Sequence, residues 1–448
     1  MEKEYNVVFI GSGHAAWHAA MTLREANKTV AIIEKEKIAG TCTNFGCNPK
    51  ILLDSPFELI ERLELYKGIG INEVPQVQWR DLMNYKHGVI DPLTELMEQT
   101  FKKAQIDIYK GSGKFIDAHA IQVNDEVIKG ETIVIATGQR SNRLPIPGKD
   151  YLHTSQDFLD SIEMPKRIVF IGAGLISLEF VSMAAKMGSE IHVVEFSDKA
   201  LPAYYDKYAE KIVEGLKQEQ VQFHFNTEVV EVTKDETEYR VKTKNGQIIK
   251  TDYVLDATGR IPNVEDLGLE DIGVIFNKKG IEVDDYLRTS VPNIYASGDV
   301  IDKAIPRLTP TATFESNYLA GQFLGHTEKI AYPVIPSVIY TLPRIAQVGV
   351  SQKEAQESDR YHTATLAYGK MFVFETKNET EAEATIVLDE ENYLVGADLY
   401  SNDAADLINL FTLVINQRMT ASQLNQMIFA FPTVSIALIQ LMVPMLHQ

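Results

Sequence analysis

Cysteine is scarce in this chain: two residues in 448, both within Gly40-Thr41-Cys42-Thr43-Asn44-Phe45-Gly46-Cys47-Asn48-Pro49-Lys50. Two are too few for the disulfide framework of a small secreted scaffold. Positive charge is also short, with 43 Lys and Arg against 62 Asp and Glu and a formal net charge of -19. That balance argues against nucleic acid or an anionic membrane as partner. No low-complexity run and no disordered tail interrupt the sequence. The start, Met1-Glu2-Lys3-Glu4-Tyr5-Asn6, lacks a charged-then-apolar leader, so a cytoplasmic location is expected. The one long apolar run, Met427 to Leu446, is broken by Pro432, Ser435, Gln440 and Pro444. A spanning helix needs about 20 predominantly apolar residues. Burial in a subunit interface is the expectation for this run. What remains is the composition of a soluble globular protein, 45% apolar and 23% charged, at a length that allows several domains.

Cys42 and Cys47 are separated by four residues. In regular helix their Cα atoms would lie about 7.5 Å apart along the axis, at 1.5 Å per residue. A disulfide needs them within roughly 7 Å. The segment is therefore expected to enter its helix through a distorted turn, and Asn44 and Gly46 are residue types that permit one. A bridge over so short a loop adds little chain stability compared with one closing a long loop. Two readings follow: a pair that opens and closes as redox chemistry, or two buried cysteines packed as small apolar residues.

Two βαβ patterns flank this stretch. Val7 to Ile10 reads as a buried strand, Gly11-Ser12-Gly13-His14-Ala15-Ala16 as a Gly-x-Gly-x-x-Ala turn, and Thr29 to Ile33 as the next strand, ended by Glu34. Gly11, Gly13 and Ala16 let backbone approach a pyrophosphate at a helix N-terminus, and Glu34 can accept hydrogen bonds from a ribose. The second pattern runs from Ile168 to Ile171, through Gly172-Ala173-Gly174-Leu175-Ile176-Ser177, to Glu195. Ser177 replaces a third glycine, so its helix is expected to sit slightly farther off. An acid at Glu195 hydrogen-bonds a ribose 2′-OH and repels a 2′-phosphate, which favours NADH over NADPH. Thr132 to Gly138 and Tyr253 to Arg260 each end a strand in Ala-Thr-Gly.

In these motifs the chain is similar to the class I pyridine nucleotide-disulfide oxidoreductases, the family of glutathione reductase and dihydrolipoamide dehydrogenase. Their pattern is Gly-Gly-Thr-Cys-x-x-x-Gly-Cys-x-Pro with a Lys close behind, and here only the first Gly differs, as Ala39. The resemblance implies an α/β fold with two Rossmann-like dinucleotide-binding domains and an α+β C-terminal dimerisation domain. The implied boundaries are 1–148 and 265–330 for the FAD domain, 149–264 for the NAD(P) domain and 331–448 for dimerisation. It implies FAD near Gly11, Gly13, Ala16, Glu34, Thr41, Gly113, Thr137, Gly138, Asp299 and Thr309. NAD(P)H, with NADH favoured, is implied near Gly172, Gly174, Glu195, Gly259 and Arg260. Asp299 would bind the flavin's ribityl chain. Thr309 reads as an N-cap before Pro310, on a helix aimed at the flavin.

The chemistry implied by the resemblance is electron transfer from NADH through flavin to a Cys42–Cys47 disulfide. Cys47 would be the sulfur nearer the flavin, and Cys42 the one that attacks substrate. Lys50 and Glu179 would form the ion pair beside the flavin. No metal site is implied. The resemblance breaks at the C-terminus. Where relatives carry His-Pro-Thr-x-Ser-Glu, this chain has Phe431-Pro432-Thr433-Val434-Ser435-Ile436. The His is the acid/base of thiol exchange and the Glu orients it, so both chemical residues are replaced by apolar ones. His447 is the one histidine nearby in sequence. The expected function is an NADH oxidoreductase passing electrons to a small-molecule disulfide or other acceptor, in a homodimer built through 331–448. Alternatives are thiol-dependent bond cleavage or carboxylation resembling 2-ketopropyl-coenzyme M oxidoreductase/carboxylase, metal or quinone reduction, or a redox-sensing role without turnover.

Overall fold

Val7–Ile10 and Val30–Ile33 are runs of apolar, mostly β-branched residues with no polar alternation. Such runs suit strands covered on both faces. In the computed structural model, which describes residues 3–448, they form the centre of a parallel sheet. Its order is Asp107–Lys110, Val30–Glu34, Lys3–Ile10, Glu126–Ile135. Glu126–Ile135 is long enough to serve two further partners on the edge away from Lys3–Ile10. Its first half pairs antiparallel with Ala120–Val123, and its second half pairs parallel with Ile294–Ala296. Chain from beyond residue 290 thus returns to the first sheet.

A second parallel sheet has the order Gln222–His224, Glu190–Val194, Arg167–Ile171, Tyr253–Asp256. The chain leaves the first sheet through Gln139–Ser141 and comes back through Arg260–Pro262, and these two short strands pair antiparallel. The third sheet is antiparallel, in the order Ser337–Ile339, Ile345–Gly349, Leu394–Tyr400, Glu383–Asp389, Tyr361–Leu366. Helix Ala404–Asn416 buries Leu407, Ile408, Phe411 and Val414 in the core beside it. The fold class is the expected one: two dinucleotide-type α/β units and an α+β C-terminal unit.

Trp79 is buried as the first residue of helix Trp79–Lys103. In the C-terminal unit the short helices Tyr368–Lys370 and Phe372–Glu375 stand between strands Tyr361–Leu366 and Glu383–Asp389. Phe374 and Tyr368 anchor that stretch in the core, which overrides its strand-like composition. The apolar run 427–446 folds as helix Val434–Met442 with one further turn. Among the described residues no helix is long and apolar enough to cross a membrane.

Candidate active site

The expected distortion between the cysteines is a break between two helices. Gly40–Phe45 carries Cys42, Cys47–Glu64 begins at Cys47, and Gly46 between them has φ -137° and ψ -109°. The two sulfurs stand as free thiols, with Cys42 half-buried and Cys47 exposed. Cys47 Sγ lies 3.4 Å from Thr309 Oγ1. The Cys47 thiol is held down at about 6 by its hydrogen bond with Cys42, helped by Thr309 and the nearby Lys50 charge. The same hydrogen bond, together with burial, pushes the Cys42 thiol up. Of the two thiols, Cys47 is the one whose surroundings favour the thiolate.

Thr309 is not the expected N-cap. Leu308 occupies the cap position without a side-chain bond, and Thr309 is the first residue of helix Thr309–Phe323. Its hydroxyl is therefore free to face the sulfur.

Lys50 follows Cys47 by three residues, so it shares a helical face with it. Lys50 Nζ reaches Glu179 Oε1 at 2.9 Å, and its ammonium lies 3.8 Å from the Tyr340 ring centroid. Glu179, only 4% exposed, also accepts the Tyr340 backbone N–H at 3.0 Å. The cysteine helix, the second dinucleotide unit and the C-terminal unit thus meet at one carboxylate.

One turn beyond Lys50, Asp54 pairs with Arg344, each side chain 2% exposed, and Arg344 also reaches Glu58 at 3.3 Å. Burial holds the Asp54 carboxyl up at about 7 in spite of the Arg344 and Lys50 charges beside it. Arg344 also donates to Thr341 O at 2.7 Å. Neither Asp54 nor Arg344 was singled out from the sequence. Their signal, an acid one turn past Lys50 and an arginine in the connection before strand Ile345–Gly349, has meaning only once residues 290 apart are adjacent.

Both dinucleotide turns are braced by their acids. Glu34 Oε2 accepts from the Ser12 N–H at 3.0 Å and the Ser12 hydroxyl at 2.6 Å. That hydroxyl also accepts the Ala39 N–H at 3.0 Å, which fastens the first turn to the approach of the cysteine helix. Ala39 takes φ 75°, the left-handed conformation for which relatives supply glycine. A Cβ on Gly40 would come within 2.8 Å of Gly13 Cα, so the two backbones touch. In the second turn Glu195 Oε2 accepts the Ala173 N–H at 2.7 Å, and Oε1 accepts the Ser197 N–H and hydroxyl at 2.8 and 2.7 Å. Ser12 and Ser197 were given no role from the sequence, although their places beside the turns were a usable signal.

The remaining residues fall around these turns. Gly11 has φ 106°, and a Cβ there would strike Ala136 O at 2.3 Å; Gly172 meets Ala257 O in the same way at 2.8 Å. Ala16 is buried beneath the first turn, while Thr41 is exposed on the short cysteine helix. Gly113 is buried against Ile121 and Ile33. Thr137 is tied to Asn263 through its hydroxyl at 2.7 Å and its carbonyl at 2.8 Å, and Gly138 follows at φ 65°. Gly259 has φ 138°, and Arg260 donates to Gln139 O at 2.6 Å. Asp299 lies half-buried in the turn Gly298–Val300, whose Gly298 N–H donates to Glu315 at 2.6 Å. Ser177 is fully buried, with its hydroxyl unpartnered.

The C-terminal positions contrast with this. Phe431 is 77% exposed and Ile436 half-buried. His447 is held elsewhere, stacked on Tyr393 with Nδ1 2.8 Å from Glu391 O. Among the described residues no group of three or more His, Cys, Asp or Glu is placed to hold a metal.

Residues 5–316 match the family profile described as pyridine nucleotide-disulphide oxidoreductase, and 335–441 match that family's dimerisation domain. Dihydrolipoyl dehydrogenase of Bacillus subtilis (strain 168) is 31% identical over 96% of this chain and 96% of its own. Glutathione reductase of Burkholderia cepacia is 29% identical over 96% of this chain and 97% of its own. Among solved structures, the HOCl-induced flavoprotein disulfide reductase RclA from Escherichia coli superposes with a TM-score of 0.88 at 26% identity, covering 98% of this chain and 99% of that one. These names lend no support to the alternatives to disulfide reduction. The chain belongs to the pyridine nucleotide-disulfide oxidoreductase family, whose members contain FAD and use NAD(P)H, and it is an oxidoreductase.

Proposed function

We propose that the chain is a cytoplasmic, homodimeric, NADH-dependent flavoprotein that reduces a small disulfide through Cys42 and Cys47. The observation that carries this reading is the placement of the cysteine pair: Cys42 and Cys47 flank a helix break, and Cys47, at the start of the helix that carries Lys50, has its Sγ 3.4 Å from Thr309 Oγ1.

The residues fit both dinucleotides. A Cβ on Gly174 would meet nothing within 4 Å, and one on Gly13 would meet only Gly40 Cα at 4.0 Å. Both turns therefore present bare backbone toward open space, as close approach to a pyrophosphate requires. FAD would be held by Gly11, Gly13, Ala16, Glu34, Thr41, Gly113, Thr137, Gly138, Asp299 and Thr309. When bound, it supplies a two-electron carrier between NADH and the sulfurs. NADH would be held by Gly172, Gly174, Glu195, Gly259 and Arg260. The doubly anchored Glu195 carboxylate accepts ribose hydroxyls and repels a 2′-phosphate.

Two electrons open the Cys42–Cys47 bond, leaving Cys47 as thiolate and Cys42 protonated. Cys42, on losing its proton, attacks the acceptor disulfide, forms a mixed disulfide and expels one thiolate. Cys47 then attacks Cys42, re-forms the internal bond and expels the second thiolate. The net reaction consumes NADH, one proton and one disulfide, and yields NAD and two thiols. With Phe431 and Ile436 in place of the acid/base pair, protons reach Cys42 from water. The exposed Ile428, Phe431 and Leu413 support burial of the C-terminal unit against a second subunit.

The test is steady-state NADH oxidation by FAD-loaded protein with oxidised lipoamide, glutathione disulfide and cystine. At least one disulfide should accelerate turnover, with kcat/KM about tenfold or more higher for NADH than for NADPH. No acceleration by any disulfide would overturn the reading.

A further inference from the structure

Outside the thiol site, two histidines lie on one face of the helix that follows the first dinucleotide turn. His14 and His18 are four residues apart on helix His14–Glu25, the i,i+4 spacing with which helical histidines share a metal. His14 Nδ1 and His18 Nε2 are 3.0 Å apart. A third donor comes from a different helix: Thr313 Oγ1, on Thr309–Phe323, is 3.4 Å from the first nitrogen and 3.3 Å from the second. The three atoms form a nearly equilateral triangle. Tetrahedral ligands at the usual Zn–N length of about 2.0–2.1 Å stand about 3.3 Å from one another.

Hydrogen bonding accounts poorly for this triangle. Each edge needs its own hydrogen aimed along it, and a ring nitrogen that donates along one edge has no in-plane lone pair left for the other. An ion above the triangle uses one lone pair from each atom. The frame around the donors is rigid. Ala19 N–H donates to the buried Ser316 hydroxyl at 3.0 Å, and the Ser297 hydroxyl donates to Ala15 O at 2.9 Å, which fixes the helix between its neighbours. Trp17 stacks on His18 with centroids 3.5 Å apart and holds that imidazole in place.

A second histidine pair shows what the first has in addition. His192 Nδ1 and His224 Nε2 are 2.9 Å apart, but Glu190 approaches the other nitrogen of His192 at 3.4 Å. Those donors do not converge on one point.

We infer that His14, His18 and Thr313 form a binding site for one borderline divalent transition-metal ion such as Zn2+ or Ni2+. Two imidazoles suit such ions, whereas Mg2+ and Ca2+ prefer all-oxygen sites. Three protein donors, one of them a neutral hydroxyl, make the site exchangeable and leave a coordination position open to water. An ion there joins the helix after the dinucleotide turn to the helix whose first residue, Thr309, faces Cys47.

The test uses FAD-loaded protein with Cys42 and Cys47 oxidised to the disulfide, so that no thiolate competes for metal. Equilibrium dialysis against Zn2+ should leave one ion per chain. Ni2+ should quench tryptophan emission, because Trp17 lies against His18 and is one of only two tryptophans. His14→Gln and His18→Gln should each weaken Zn2+ binding by at least about thirtyfold, since each removes one of two imidazoles. Thr313→Val should weaken it by a smaller factor, and His224→Gln should change nothing. Wild-type protein that retains no Zn2+ at tens of micromolar free metal overturns the site, whatever the variants do. Equal binding by wild type and His18→Gln also overturns it.

Discussion

The helix that carries Cys47 and the segment 431–436 treat charge in opposite ways. Along Cys47–Glu64 the charged side chains of one face are answered: Lys50 by Glu179, Asp54 by Arg344, Glu58 by Arg62 and Arg344. Across 431–436 no ionisable side chain remains, and Phe431 stands out from the surface. The first region sets where electrons and charge rest. The second is where the family resemblance leads one to expect groups that move protons. On the proposed reading, the first region accepts two electrons without an ionisable group in the second to move protons.

The largest effect that would break the comparison lies in the sulfurs. Cys42→Ser and Cys47→Ser should each lower disulfide turnover by more than about 10⁴-fold, as loss of a nucleophile does. FAD content, read from absorbance, should stay unchanged.

Next is the buried pair behind Lys50. Asp54→Ala leaves the buried Arg344 guanidinium only the more exposed Glu58, at 3.3 Å, and should cost about 3 kcal/mol in denaturant unfolding. The double change Asp54→Leu with Arg344→Met should cost much less, because no charge is stranded. Equal losses in both would mean that packing, not charge, governs this site.

The C-terminal side is probed by restoring what it lacks. Phe431→His with Ile436→Glu should raise disulfide turnover by about 10²-fold, the lower end of general acid/base contributions. No gain in a folded, FAD-loaded double variant would show that the local geometry has moved away from proton transfer.

The smallest expected effect concerns the Cys47 charge. Its thiol is held near 6, so thiolate should be present above that pH and lost as pH falls through it. Thr309→Val removes a hydroxyl that favours the thiolate, so the midpoint should move upward, by about one unit or less. Thiolate absorbance near 240 nm against pH measures it; a downward shift would reverse the assigned role of Thr309.

Much of the fold was legible because its signals are local. Gly11-x-Gly13 and Gly172-x-Gly174 each lie between a buried strand and a helix, with an acid one strand later, and that spacing is fixed by the βαβ unit. Cys42, Cys47 and Lys50 fall within nine residues. The site's remaining parts come from far along the chain. Thr309 looked like a helix cap because only its neighbour Pro310 was visible, whereas its sulfur partner is 262 residues away. Arg344 sits in the connection between strands Ser337–Ile339 and Ile345–Gly349, and nothing local announces a buried acid waiting for it. In 363–400, tertiary burial of Phe374 and Tyr368 decided between strand and helix where propensity could not.

The central claim is that Cys42 and Cys47 accept electrons from NADH even though the C-terminal acid/base pair is gone. An anaerobic titration of FAD-loaded protein with NADH, followed by visible absorbance, tests it most directly. Two electrons per chain should produce a long-wavelength band from the Cys47 thiolate against oxidised flavin, absent in Cys47→Ser. Direct bleaching of the flavin, with no such band in the wild type, would contradict the claim.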